Sequence, residues 1–221
     1  MHFLNPLKAW PSEGVCMAWL GDDIVVLSIA NDAYSCLVGA AHHLSPADDG
    51  GLLISTPAVL GDLEAAGLVT PMKPAGRTLT PQSALRDLET SAATPFRRAP
   101  GLAANALWGA RSLRRAAFPQ LIAIARALKA RNLNMAPVVT PRIAADVGAF
   151  TAVLPWLPFQ GVCLHRAFLL VRYLALSGVS ADWVFGVRTW PFAAHCWVQI
   201  GDTVLGDSVA RVRAYTPILV V

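Results

Sequence analysis

Three residues toward the C-terminal end constrain this chain most, through their order and the elements they fall on. Cys163 stands in Gln160-Gly161-Val162-Cys163-Leu164-His165-Arg166, His195 in Pro191-Phe192-Ala193-Ala194-His195-Cys196-Trp197-Val198, and Asp207 in Leu205-Gly206-Asp207. A thiol, an imidazole and a carboxylate are what a cysteine nucleophile needs. The thiolate attacks, the imidazole takes and returns a proton, and the carboxylate orients the imidazole.

Cys163 is expected to open a helix. Pro155 and Pro158 disfavour helix upstream, and Leu164, Ala167, Phe168, Val171, Leu174 and Ala175 recur at helical spacing before Gly178. A cysteine in a first helical turn sits among unpaired N–H groups at the positive end of the helix dipole, which favours its thiolate. The same N–H groups are suited to a developing oxyanion.

His195 and Asp207 are expected on two strands of one hairpin. Ala194, Cys196, Val198 and Ile200 alternate with His195, Trp197 and Gln199 ahead of Gly201-Asp202. A three-residue loop of Ile200, Gly201 and Asp202 would set His195 opposite Asp207. A two-residue Gly-Asp turn would set them on opposite faces. A triad therefore predicts the three-residue loop.

Structural roles compete with these. Free cysteine is often a small buried hydrophobe, and a lone strand histidine is usually structural. His165, two residues past Cys163, points elsewhere on a helix and reads as packing or surface. Cys163, His165, His195 and Cys196 have poor spacing for a tetrahedral zinc site, so no metal is expected. Gln160 is an oxyanion candidate, although its spacing from Cys163 is not that of papain.

Hydrophobic residues make up 55% of the 221 and the mean hydropathy is +0.48. No membrane span is expected, because Ala167 to Val171 is bounded by Arg166 and Arg172, far short of the roughly 20 apolar residues needed. The start, Met1-His2-Phe3-Leu4-Asn5-Pro6, lacks a signal-peptide pattern. The four cysteines, Cys16, Cys36, Cys163 and Cys196, show no framework spacing. Together these point to a reducing cytoplasm.

Charge divides the chain. Residues 1–94 carry four basic residues against ten acids, and residues 95–221 fourteen against four. Balances of −6 and +10 suggest two units with different partners. The expected domains are residues 1–85, a linker at 86–101, and residues 102–221. In the first, Val15 to Leu20 and Ile24 to Ile29 flank the hairpin signal Gly21-Asp22-Asp23. Ala30-Asn31-Asp32 then leads to a third strand, Ala33-Tyr34-Ser35-Cys36-Leu37. A helix from Val38 to His43 should follow, and later one with Thr56 as N-cap and Pro57 at its first position. That order is α+β and winged-helix-like, a three-stranded sheet plus helices. The charge of −6 argues against nucleic acid, whose phosphates demand a basic face. Leu102 to Arg131 reads as helical, with Arg111, Arg114, Arg115, Arg126 and Arg131 as a solvated face or a surface for an acidic partner. Pro137 to Arg142 would link it to the core.

The stretch from Cys163 to Asp207 resembles the C-terminal domain of lasso-peptide B proteins, leader-peptide proteases with a transglutaminase-like, papain-related core. The resemblance rests on Cys163-Leu164-His165-Arg166-Ala167, Gly178-Val179, Ala181, Phe185-Gly186-Val187, Pro191 to Val198, and Gly206-Asp207. Cys196 stands where that family usually has a small residue such as Ala. About the first 75 residues, with Asp22 to Leu27 and Asp32 to Leu37, resemble the recognition element fused to such proteases, its middle helix degraded around Ser45 to Leu53.

The resemblance implies a cysteine peptidase with Cys163, His195 and Asp207 as its triad. It implies a precursor leader peptide added as a strand beside the third strand, with Tyr34, Ser35, Cys36 and Leu63 as candidate groove residues. It also implies a partner cyclase, asparagine-synthetase-like, that ligates the freed amine to a side-chain carboxylate. No cofactor is expected on this chain. It has no phosphate-binding glycine loop, so any ATP requirement would act through the cyclase. A transglutaminase-like acyltransferase and a catalytically inactive leader-binding module remain the alternatives.

Overall fold

The computed structural model describes residues 7–74, 81–90, 99–113, 115–132, 138–156 and 163–221. The chain divides into two units, Met1–Thr78 and Leu79–Val221.

In the first unit, strands β1 (Leu7–Pro11), β2 (Val15–Leu20), β3 (Asp23–Ser28) and β4 (Ala33–Leu37) come first. β2 and β3 pair around a two-residue turn, Leu20 opposite Asp23, with Gly21 at φ +64°. β3 also pairs β4, giving a sheet in the order β2-β3-β4. The middle strand is the most buried, with Ile24, Val25, Val26 and Leu27 all inside. These three strands lie where the two turn signals place them, to within a residue.

The helix expected from Val38 to His43 is only a 3-10 turn, Ala40–His42, entered through Gly39 at φ +68°. The segment read as a degraded helix forms strands instead. β5 (Leu44–Pro46) and β6 (Leu52–Ile54) pair antiparallel, and with β1 and β7 (Val69–Thr70) they build a second sheet in the order β5-β6-β1-β7. Pro46, Gly50 and Gly51 oppose helix here, while Leu44, Leu52 and Ile54 fill the unit's core. Helix α1 (Pro57–Ala65) starts as expected, the Val59 N–H donating to Thr56 Oγ1.

The second unit is a five-stranded sheet, ordered β12-β9-β10-β11-β8, with its longer helices packed against one face. Its strands are β8 (Arg86–Asp87), β9 (Asp182–Arg188), β10 (Ala193–Ile200), β11 (Thr203–Leu205) and β12 (Thr216–Val220). Its helices are α2 (Ala99–Ser112), α3 (Phe118–Ala130), α4 (Pro141–Val153), α5 (Cys163–Leu176) and α6 (Val209–Val212). The helical stretch expected from Leu102 to Arg131 is thus two helices, the second restarting at Phe118-Pro119, since proline cannot continue a helix. Helix α5 touches α2, α3, α4 and β10, and Phe168 and Leu174 on it are fully buried. Against it stand Trp183 and Phe185 of β9, with Phe168 and Trp183 centroids 5.3 Å apart. Among the described residues no helix is long and apolar enough to cross a membrane.

The span 86–101, expected to be linker, is partly sheet. Arg86 and Asp87 pair in parallel with Thr203 and Val204, Arg86 Nη2 lies 2.6 Å from Asp202 Oδ1, and Asp87 Oδ1 accepts from the Val209 N–H at 2.6 Å. Residues 91–98 lie outside the described residues. The segment before β8 also belongs here. Ala84 packs with Val184, Trp197, Val204 and Val212, and Gln199 Nε2 donates to the Gln82 carbonyl at 2.9 Å. This segment, α6 and Tyr215 cover the sheet face opposite α5, so both faces of β10 are buried despite its alternating sequence.

Gly186 of β9 lies directly opposite His195. A Cβ there would sit 2.8 Å from Trp197 Cζ3 and 2.9 Å from Tyr215 Cβ, and neither group can swing aside. Gly186→Ala is expected to destabilise the unit by about 1–3 kcal/mol through overpacking, read as a fall in Tm. An unchanged Tm would show that the ring has room to move.

Candidate active site

Helix α5 carries Cys163 as its first described residue. Pro158 and Gln160 lie outside the described residues. The Cys163 thiol bonds the side chains of Cys196 and His195, and the backbone N–H of Cys196. These hold its pKa down to about 4, Cys196 contributing most and His195 next, against the opposing push of burial. The helix N-terminus adds a favourable field for the anion.

His195 is buried on β10, its ring between Trp197 and Tyr215 with centroids 6.2 and 5.3 Å away. Its Nε2–H donates to Asp207 Oδ2 at 2.7 Å, which leaves Nδ1 for the thiol. The bond to Asp207, followed by the bond to Cys163, raises its pKa to about 9. The Asp207 side chain is 5% exposed. Burial pushes its carboxyl up, but the bonds from His195 and the Ser208 N–H, with the charges of His195 and Arg166, hold it below the ordinary value. The structure thus brings the three sequence-predicted residues together.

It does so by a route the sequence argument excluded. Val198 pairs Leu205 and Ile200 pairs Thr203, which is the two-residue Gly201-Asp202 turn. Continuing that register would set Asp207 opposite Cys196, on the wrong face for His195. The strand, however, stops at Leu205, and Gly206 takes φ +68°. That left-handed residue redirects the chain, and alternation no longer governs Asp207.

Two neighbours were not singled out as site residues. Arg166 Nη2 donates to Asp207 Oδ2 at 3.2 Å, and Arg211 Nη1 lies 3.7 Å from Oδ1. Arg166 is three residues beyond Cys163, a spacing that shares one helix face, and that was the available signal. A small hollow beside the site is lined by Phe150, Leu154 and Leu170, with Arg166, Cys196 and Asp207. His165 is half-buried, and burial lowers its pKa against the opposing pull of Cys163. Among the described residues no cluster of three or more His, Cys, Asp or Glu is placed to hold a metal ion.

The candidate groove residues belong to the other unit. Tyr34, Ser35 and Cys36 lie on β4, the edge of its sheet. Leu63 is 6% exposed and packs in the unit's core. It faces inward from α1 and offers no surface to a peptide.

With Cys163 ionised above about pH 4 and His195 protonated below about pH 9, the resting pair between these values is thiolate and imidazolium. Iodoacetamide should therefore alkylate Cys163 at a nearly level rate across pH 5 to 8, losing rate only on stronger acidification. A rate rising tenfold per unit through that range would describe an ordinary thiol, whose pKa is about 8.5.

Residues 103–220 match the profile of the Transglutaminase-like superfamily. Over 50 residues the chain is 40% identical to the microcin J25-processing protein McjB of Escherichia coli, covering 23% of this chain and 24% of that one. The chain thus spans about a quarter of that relative's length. No solved structure matches. The chain belongs to the transglutaminase-like superfamily and, within it, resembles the lasso-peptide B proteins.

Proposed function

We propose that this chain is a cysteine peptidase of lasso-peptide maturation that removes the leader from a ribosomally made precursor. The observation that carries the proposal is the contact of Cys163 with His195, itself 2.7 Å from Asp207. The thiolate of Cys163 attacks the carbonyl carbon of the scissile peptide bond. His195 gives its proton to the departing nitrogen, which leaves as the amine of the core peptide. The leader remains as a thioester on Cys163. His195 then takes a proton from water, the hydroxide attacks the thioester carbon, and the leader departs as a free acid while the thiolate reforms.

In this proposal the first unit holds the leader, which adds as a strand to the open edge of β4 beside Tyr34, Ser35 and Cys36. A separate asparagine-synthetase-like cyclase consumes the freed amine, and any ATP acts there. The setting is the cytoplasm, where thiols stay reduced.

The test is incubation of the full chain with its cognate precursor, alone and with the cyclase, followed by mass spectrometry. The expected products are a leader ending in a free carboxylate and a core with a free amine, or with its lactam when the cyclase is present. A leader joined to an added amine would identify an acyltransferase. Leader binding with an intact precursor in every lane would identify a binding module. Either result would overturn the proposal.

A further inference from the structure

Asp207 is held beyond the reach of the strand ladder. The pairing of β11 with β10 ends at Leu205 opposite Val198, and Gly206 turns the chain away. Three donors then fix the carboxylate. The Ser208 N–H reaches Oδ1 at 2.8 Å. His195 Nε2 and Arg166 Nη2 both reach Oδ2, at 2.7 and 3.2 Å. Of these donors, Arg166 is the one on α5, the helix that carries Cys163 three residues earlier. It also lines the hollow beside Phe150, Leu154 and Leu170, and its side chain is 35% exposed. Arg211, a second cation near this carboxylate, stands 3.7 Å from Oδ1 with its side chain 58% exposed, a geometry worth little in water.

We propose that Arg166 is a positioning residue that ties the Asp207 carboxylate to the helix of the nucleophile and stays as its counter-charge while His195 loses and regains a proton. A guanidinium keeps its charge throughout the working pH range. His195 does not, because it is imidazolium in the resting pair and neutral once it has protonated a leaving group. At that moment the buried Asp207 has a neutral imidazole as its neighbour. A buried carboxylate without a counter-charge is costly, and it relieves that cost by taking a proton or by turning toward water. Either change releases the His195 ring. Arg166 removes the cause of both, and its charge is among the groups that keep Asp207 ionised against burial.

This inference rests on Cys163, His195 and Asp207 acting together, and it is independent of the peptide cleaved. The full chain, Arg166→Ala, Arg166→Lys, Asp207→Ala and the double variant Arg166→Ala with Asp207→Ala would be given p-nitrophenyl acetate. Nitrophenolate leaves without a proton, so attack by the Cys163 thiolate needs no acid. Hydrolysis of the acetyl thioester then needs His195 to take a proton from water, so kcat reads how well the ring is held. Each protein is compared at its own pH optimum. Arg166→Ala is expected to lower kcat about tenfold and to leave the acylation burst unchanged, while in the double variant it should cost nothing beyond Asp207→Ala. Arg166→Lys keeps the charge and should recover at least about threefold over alanine. An unchanged kcat in Arg166→Ala, even with a lower Tm, would overturn the role. So would a double loss equal to the product of the two single losses, or a burst that falls as far as kcat. Should Arg166→Ala fail to fold, Arg166→Met against Arg166→Lys asks the same question, since methionine keeps an apolar stem without a donor. A wild-type chain with no burst would remove the nucleophile, and this inference with it. Coupled losses on the ester beside an uncleaved precursor would support Arg166 in this role and overturn the peptidase alone.

Discussion

Cys163→Ala is expected to abolish precursor cleavage, with a loss of at least about 10⁴-fold, because residues of a nucleophilic constellation act as a unit. Alanine removes the sulfur that forms the thioester, while His195, Asp207 and Arg166 keep their mutual contacts. Binding of the precursor should persist, since the candidate leader-binding residues lie in the other unit. Cys163→Ser should be nearly as inactive. The site holds a resting thiolate with a pKa of about 4. A serine hydroxyl does not ionise there, and an imidazolium held by Asp207 has no free nitrogen to act as its base. Mass spectrometry of the reaction, with leader affinity measured in parallel, checks both. Cleavage retained at even a hundredth of the wild-type rate in Cys163→Ala would place the nucleophile elsewhere.

Asp207→Ala should reduce kcat by about 10²–10³-fold. That is less than the roughly 10⁴-fold effect of an orienting carboxylate in serine enzymes, where it selects the imidazole tautomer. The difference follows from the charge state. In the thiolate–imidazolium pair both ring nitrogens of His195 already carry protons, so no tautomer has to be chosen. Asp207 acts by orienting the ring and by stabilising its charge. The bond to Asp207 is the first cause of the raised His195 pKa of about 9. Its loss should bring the alkaline limb of kcat down toward the ordinary histidine value of about 6.5.

The acid limb, set by Cys163, should move far less, because Asp207 is not among the groups that hold its thiol down. Asp207→Asn separates the two roles. An amide oxygen can still accept from Nε2 and orient the ring, so kcat at the optimum should recover at least tenfold over alanine. The charge is still missing, so the lowered alkaline limb should remain. A pH profile of kcat for the three proteins reads this directly. An alkaline limb unchanged in Asp207→Ala would assign the pKa of His195 to another group. Loss of Asp207 also leaves Arg166 and Arg211 without their counter-charge, so melting curves should accompany the kinetics.

Much of this was legible locally. The placing of Cys163 on α5 follows from upstream prolines and helical spacing, and the start of α1 from Thr56-Pro57. Helix α4 carries the same signal, Thr140-Pro141, with the Ile143 N–H donating to Thr140 Oγ1, although Pro137 to Arg142 is expected only as a link. β2, β3 and β4 follow from short apolar runs and from the turns at Gly21-Asp22 and Asn31-Asp32. These elements are short-range, and the residues that specify them are adjacent in the chain.

The sequence by itself determined the identity and order of the three site residues, and the elements that carry Cys163 and His195. Only the tertiary structure decided how they meet. The hairpin register opposes the meeting, and one left-handed residue, Gly206, overrides it. Alternation is a rule about paired strands and is silent once pairing stops. The pairing of Arg86 with Asp202 and the seating of Gln82 on Gln199 join segments more than a hundred residues apart, and no local pattern encodes such partners. The same holds for Arg166 on Asp207. Arg166 has an ordinary local reason to be there, as part of a helix face. Its chemistry arises when α5 packs onto the sheet and the thiol, imidazole and carboxylate leave water together.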